Sequence, residues 1–75
     1  MKYPRIKELR EDNDIRQQTI ADYLFIAQNT YSQYENGLRD IPINVLSSIA
    51  DYYNTSVDFL IGRTDNSSPY PKTSK

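Results

Sequence analysis

The 75-residue sequence contains no cysteine and no histidine. A chain without cysteine has no disulfide framework and no thiolate nucleophile. A chain without histidine lacks the commonest metal ligand and the usual general base near neutral pH. These two absences argue against an enzyme, and we expect neither a metal ion nor another cofactor.

Long apolar runs are also missing from the sequence. The N-terminal segment MKYPRIKELR has charges and a proline where a signal peptide needs an apolar run. Nowhere do about 18 apolar residues follow one another, as a membrane-spanning helix requires. The sequence therefore predicts a cytoplasmic protein with no membrane partner.

The charges of the chain nearly cancel, with nine Lys and Arg against ten Asp and Glu and a formal net charge of −1. This balance argues mildly against a nucleic-acid partner, unless folding gathers the basic side chains on one face. So short a chain buries only one small core and has no room for a large cavity. We therefore expect its ligand to bind on the outer surface.

Apolar residues recur at helical spacing in five segments, and no stretch alternates as a strand does. The predicted helices run from Pro4 to near Asp12, from Gln17 to Leu24, from Gln28 to Asn36, from Pro42 to Tyr53, and from the cap at Ser56 to Gly62. After Arg63 the sequence TDNSSPYPKTSK is polar and aperiodic. This composition indicates a flexible polar tail over residues 64–75.

The stretch QNTYSQYENG, residues 28–37, presents two faces of different chemistry. Tyr31 and Tyr34 share one face of the helix, which we expect to pack in the core. The opposite face carries uncharged polar side chains: Gln28, Asn29, Ser32 and Gln33. Taken alone, such a face is most simply explained as a solvated helix surface.

Several segments follow one another in a characteristic order: RIKELRED, IRQQTIADYL, QNTYSQYENG, IPINVLSSIADYY and SVDFLIGRT. Together they resemble the helix-turn-helix family of phage repressors and related bacterial regulators, from about Ile6 to Arg63. The resemblance implies an all-α fold, a compact five-helix bundle forming a lambda-repressor-like DNA-binding domain over residues 1–63. In that family the second helix lies across the DNA backbone and the third enters the major groove.

The resemblance assigns a role to the polar face of the third helix. Gln28, Asn29 and Gln33 match positions that read base edges in this family, and Ser32 lies on the same face. A carboxamide both donates and accepts, so it can pair bidentately with adenine N6 and N7. The combination of the polar face, the short preceding helix and the ENG motif favours base reading over a merely solvated surface.

The resemblance also implies contacts with the DNA backbone. The candidates for phosphate contacts are Arg10, Gln17, Asn36 and Arg39. Arg10 and Glu35 match a pair that in this family ties the first helix to the end of the third. Such an ion pair would fix the angle at which the reading helix is presented.

Three positions depart from the family pattern. Phe25 stands where the family usually has a glycine with positive φ, which predicts backbone strain unless the turn has changed shape. Arg16 and Ala27 precede the second and third helices in place of the usual Ser or Thr caps. An exposed Phe25 would instead suit an interface.

The sequence therefore predicts a sequence-specific regulator of transcription, a repressor that binds double-stranded DNA. We expect a homodimer on an inverted-repeat operator, with half-sites about one helical turn, roughly 34 Å, apart. The alternative is an antitoxin-like or other protein-binding module of the same fold, with secondary DNA binding. The acidic pI, the scarcity of lysine and Phe25 at the turn favour this alternative.

Overall fold

The computed structural model describes residues 2–71. Within these residues, helices connected by turns and loops are the only regular secondary structure. The helices are α1 (Pro4–Asp12), α2 (Gln17–Leu24), α3 (Gln28–Glu35), α4 (Ile43–Tyr52) and α5 (Val57–Leu60). The predicted all-α, five-helix fold is thereby confirmed. Pro42 lies just before α4 as its N-cap instead of within it, and α3 ends one residue before Asn36.

The core is formed by residues from every helix. Ile6, Ile20, Tyr31, Ile49 and Leu60 each have at most 1% of their surface exposed. The predicted burial of Tyr31 is confirmed, and that of Tyr34, which is 7% exposed, is confirmed as well. Because every helix contributes to one cluster, each short helix is stabilised by its neighbours instead of by its own length.

The turn between α2 and α3 keeps a left-handed backbone although it contains no glycine. Phe25 ends α2 with φ 58° and ψ 41°, as the family pattern predicted. The same region of φ is occupied by Asp14 and Asn54, residue types that tolerate it better than phenylalanine. The Phe25 side chain is 95% exposed, so no burial offsets the strain.

Helix capping also follows the sequence prediction. Neither Arg16 before α2 nor Ala27 before α3 makes a side-chain cap hydrogen bond. Ser56 does cap α5, because its Oγ accepts from the Phe59 N–H at 3.0 Å. The first amides of α2 and α3 therefore have no side chain of their own cap residue as partner.

Gly37 follows α3 with φ +75°, where a side chain would be strained. A Cβ added there would also lie 2.8 Å from the Lys2 Cβ. Glycine is therefore required at this position both by the backbone conformation and by the N-terminal segment that passes over the end of α3.

Arg5 joins α1 to the segment that follows α5. Its Nη1 donates to the carbonyl oxygens of Phe59 and Thr64, and its Nη2 lies 2.6 Å from Asp65 Oδ1. The guanidinium also lies 4.2 Å from the centroid of the Phe59 ring. The first part of the predicted tail thus contacts the bundle, whereas residues 72–75 lie outside the described residues. Within residues 2–71, no helix is long and apolar enough to cross a membrane.

Candidate nucleic-acid interface

The outward face of α3 carries the four residues predicted to read bases. Gln28, Asn29 and Gln33 are exposed and Ser32 is half-buried, while Tyr31 on the opposite side is fully buried. Because positions 28, 29, 32 and 33 share one side of a helix, the structure brings these side chains together. This face can offer hydrogen-bond donors and acceptors without placing any net charge in a groove.

A buried ion pair fixes α1 to the end of α3. Arg10 Nε and Nη2 lie 2.8 and 3.0 Å from the two carboxylate oxygens of Glu35, which is a bidentate arrangement. Arg10 Nη1 also donates to the Ile15 carbonyl oxygen at 2.9 Å. Glu35 is only 2% exposed, so water hardly screens the pair. The ion pair is therefore positioned to hold the orientation of α3.

The ionisation of this pair follows from its surroundings. Burial is the largest single influence and by itself raises the pKa of Glu35, but the hydrogen bonds and positive charge of Arg10, with smaller contributions from Tyr31 and Gln17, together outweigh burial and hold that pKa below its ordinary value. The hydrogen bond to Glu35 in turn raises the pKa of Arg10. Both side chains are consequently charged at neutral pH.

Two tyrosines lie near this pair in the interior. Burial, followed by the effect of Glu35, raises the pKa of Tyr31, and burial raises the pKa of Tyr53 to about 12. Both hydroxyls are thus neutral at physiological pH. Tyr31, on the inner side of α3, and Tyr53 therefore contribute to the core by packing and not by charge.

Gln17, a predicted phosphate contact, is partly engaged within the protein. The residue is half-buried, and its Nε2 donates to Glu35 Oε1 at 3.3 Å. One amide hydrogen is therefore directed at α3, which leaves the second hydrogen and the uncapped backbone amides of α2 to face an anion.

The other predicted phosphate-contact residues lie around the end of α3. Asn36 is exposed, and its Nδ2 donates to Ser32 Oγ at 3.3 Å. Arg39 is exposed in the segment that follows. The side chain of Arg10 is only 14% exposed, so it can offer little more than one edge of its guanidinium.

One further exposed cation is absent from the predicted contact residues. Arg16 immediately precedes α2, the helix that the family resemblance places across the DNA backbone. Its sequence signal is a cation directly before a helix that has no Ser or Thr cap.

The cavities found among the described residues lie away from the polar face of α3. A cavity of about 360 Å³ lies between the N-terminal segment and the end of α5, lined in part by Tyr3, Pro4 and Ile61, and none of the α3 face residues lines it. Within residues 2–71, no group of three His, Cys, Asp or Glu side chains is placed to hold a metal ion. The polar face of α3 therefore remains the strongest candidate for recognition.

Two short helices joined by a left-handed turn, with the second exposing a polar face and tied down by a buried ion pair, define a helix-turn-helix domain. The family model HTH_3, described as helix-turn-helix, matches residues 6–60. The chain belongs to this helix-turn-helix family, whose named relatives are regulators of transcription and not enzymes.

Several curated relatives are similar over most of the chain. The regulator AnsR of Bacillus subtilis (strain 168) is 36% identical over 72 residues, which cover 96% of this chain and 62% of AnsR. The regulator ImmR of the same organism is 35% identical over 61 residues, or 81% of this chain and 48% of ImmR. The cryptic phage CTXphi transcriptional repressor RstR of Vibrio cholerae is 25% identical over 61 residues, or 81% of this chain and 55% of RstR.

The chain spans between 48% and 62% of the length of these three relatives. No solved structure matches the chain significantly. The comparisons thus identify the family of this domain.

Proposed function

We propose that the chain is a sequence-specific DNA-binding regulator of transcription that represses by occupying promoter DNA. The observation that carries the proposal is the outward face of α3, where four uncharged polar side chains lie side by side on a helix of eight residues. The names of the relatives, which include a phage transcriptional repressor, support the repressor role.

In this proposal α3 enters the major groove and its carboxamides read base edges. Gln28, Asn29 and Gln33 pair with adenine through N6 and N7, and each good pair contributes roughly 1–3 kcal/mol of discrimination against a wrong base. Ser32 contacts a base or a phosphate. The Arg10–Glu35 pair keeps α3 at a fixed angle, since its loss would release the end of the helix from α1.

Contacts with phosphates set the register on the duplex. We assign them to Arg39 and Asn36 after α3, to Gln17 with the first amides of α2, and to the exposed edge of Arg10. Arg16 joins this set because of its exposed position before α2. Since cations are few, the affinity of one subunit is modest.

Modest affinity favours a homodimer on an inverted repeat, because joining two weak half-site contacts multiplies their effect. The half-site centres then lie about one helical turn, roughly 34 Å, apart. A regulator of this kind acts in the cytoplasm, where it meets the DNA.

A second candidate is an antitoxin-like module of the same fold that binds another protein. The observation that favours it is Phe25, which is 95% exposed on a left-handed turn, so its ring is hardly buried against the other described residues. A large exposed phenylalanine of this kind is suited to a protein interface.

The two candidates are separated by selecting an operator from random duplex DNA and titrating it by fluorescence anisotropy. A Gln28→Ala, Gln33→Ala double variant should lose about tenfold or more of the preference for the operator over scrambled DNA. Asn44→Ala, which removes an exposed amide from α4, serves as the control and should change nothing. If no operator is selected at all, the DNA-binding proposal fails and the protein-binding candidate takes its place.

A further inference from the structure

The cavity of about 360 Å³ lies open where the N-terminal segment, the start of α1 and the end of α5 meet. We call it the N-terminal cavity, and its apolar lining comes from Tyr3, Pro4, Leu60 and Ile61. Its volume is that of pockets that hold small organic molecules, whereas the second cavity, of about 90 Å³, is below that size. The N-terminal cavity has no part in the proposed contacts with DNA.

The backbone on the two sides of the N-terminal cavity explains why it stays open. Tyr3 precedes α1 in an extended conformation, with φ −115° and ψ 96°, and Pro4 begins the helix. Lys2 and Tyr3 therefore form a wall beside α1 instead of a further turn of it. On the other side Gly62 follows α5 with φ +83°, and a Cβ added there would meet nothing within 4 Å. Because Gly62 has no side chain, nothing at this position fills the space.

Arg5 also lines the N-terminal cavity, but its guanidinium is already engaged. It donates to the carbonyl oxygens of Phe59 and Thr64 and pairs with Asp65. A guanidinium with three partners is a fixed part of the wall and has few donors left for a ligand.

Two exposed side chains of opposite charge complete the lining, namely the ammonium of Lys2 and the carboxylate of Glu8. Neither side chain forms a hydrogen bond or an ion pair within residues 2–71. Both are long, so they can turn towards charges that a ligand carries on a single carbon atom. Apolar walls with one unpaired cation and one unpaired anion are complementary to a small molecule that has an apolar body and both charges.

We propose that the N-terminal cavity binds a free α-amino acid with a large apolar side chain. The carboxylate of the ligand pairs with Lys2 and its ammonium pairs with Glu8. Its side chain lies against Tyr3, Leu60 and Ile61. A phosphate compound is disfavoured, because its charge would meet the carboxylate of Glu8, and the end of a peptide carries only one of the two charges.

The site is independent of DNA binding, since none of its residues belongs to the polar face of α3 or to the proposed phosphate contacts. It does adjoin the end of α3 through Lys2, because a Cβ added to Gly37 would lie 2.8 Å from the Lys2 Cβ. A ligand held by Lys2 therefore also changes the surroundings of Gly37, which gives the binding a second readout.

The test is an NMR titration of the 15N-labelled protein with L-leucine in the absence of DNA. The amide signals of residues 5–8 and 60–62 should shift, together with that of Gly37, and those of residues 28, 29, 32 and 33 should not. Glycine has both charges but no side chain, so it should bind about tenfold more weakly. N-acetyl-leucine lacks the ammonium and L-leucinamide lacks the carboxylate, and each should bind about fivefold more weakly.

Two charge variants assign the contacts. Glu8→Gln should bind L-leucine about fivefold more weakly, but N-acetyl-leucine no more weakly than the wild type does, because that ligand has no ammonium to pair. Lys2→Gln should likewise weaken L-leucine and not L-leucinamide. Glu11→Gln and Lys7→Gln remove the same charges from exposed positions of α1 that do not line the cavity, and they should leave the affinity unchanged. Thermal unfolding checks that all four variants remain folded.

The proposal is overturned if L-leucine shifts no signal of the cavity residues, if glycine binds as tightly as L-leucine, or if both charge variants bind L-leucine as the wild type does. Binding of N-acetyl-leucine or L-leucinamide that is as tight as that of L-leucine would replace the amino acid by a singly charged ligand. If the signals of residues 5–8 and 60–62 move with protein concentration when no ligand is present, a second copy covers the cavity and the assignment to an amino acid is wrong.

Discussion

At the scale of single residues, the carboxylate of Glu35 joins three helices. It accepts hydrogen bonds from Arg10 on α1 and from Gln17 on α2, while its own backbone belongs to α3. Removing one member of a buried charged network leaves the remaining charge without a partner, which costs more than the network contributes when it is intact. Glu35 is therefore the residue through which the candidate recognition surface depends on the rest of the bundle.

Glu35→Gln should lower the free energy of unfolding by about 3 kcal/mol at pH 7, because Arg10 is left buried without a counter-charge. Urea unfolding followed by circular dichroism measures the change. Glu8→Gln, at an exposed position of α1, is the control and should alter stability by less than about 0.5 kcal/mol.

The same substitution predicts a difference in pH dependence. The pKa of Glu35 is lower in the folded chain than its ordinary value of 4.5, so the unfolded chain binds this proton more tightly. The stabilisation is fully present above the unfolded pKa and is lost as the pH falls through the folded pKa. Between about pH 5 and pH 3 the wild type should therefore lose more stability than Glu35→Gln. Parallel curves would show that Glu35 is not the group responsible.

At the scale of elements, helix positions follow from local sequence signals, whereas contacts between helices do not. The periodicity of apolar residues, the cap at Ser56 and the glycine at position 37 mark helix ends without any knowledge of packing. The contact of Tyr23 with Tyr52 and the hydrogen bond of Gln17 to Glu35 join residues on different helices. Nothing in the spacing of one helix reports which side chain of another it will meet, so these contacts required the folded structure.

The left-handed backbone at Phe25, in the turn between α2 and α3, should cost stability. Phe25→Gly should raise the free energy of unfolding by about 0.5–1 kcal/mol, because it relieves a left-handed strain and removes no buried contact. Leu38→Gly is the matched control, since Leu38 is also exposed but has no positive φ, and it should lower stability instead. Denaturation midpoints of the two variants should move in opposite directions. A destabilised Phe25→Gly variant would mean that the phenylalanine makes a favourable contact in solution.

At the scale of the whole molecule, charge is distributed unevenly around a net value of −1. The exposed cations next to the candidate recognition surface are Arg16 and Arg39, whereas α2 and α4 contribute only carboxylates. A net charge near zero is therefore compatible with exposed cations beside α3, and net charge alone does not exclude a nucleic-acid partner.

This distribution predicts a shallow salt dependence of operator binding. About two phosphate-neutralising cations in each subunit of a homodimer give a slope of roughly −4 for the logarithm of operator affinity against the logarithm of salt concentration. Arg39→Ala removes one cation from each subunit, so it should reduce the magnitude of the slope by about two and should weaken all sequences alike. The Gln28→Ala, Gln33→Ala variant should keep the slope and lose only preference. Anisotropy titrations at several salt concentrations measure both quantities, and an unchanged slope in Arg39→Ala would remove that residue from the backbone contacts.

The contacts of the Arg5 guanidinium bear on how the protein folds during its synthesis on the ribosome. Its partners, Phe59, Thr64 and Asp65, are synthesised long after α1 has left the exit tunnel. Until they emerge, the first helix lacks the groups that close the bundle around it. The nascent chain can therefore complete its final fold only after Asp65 has been synthesised.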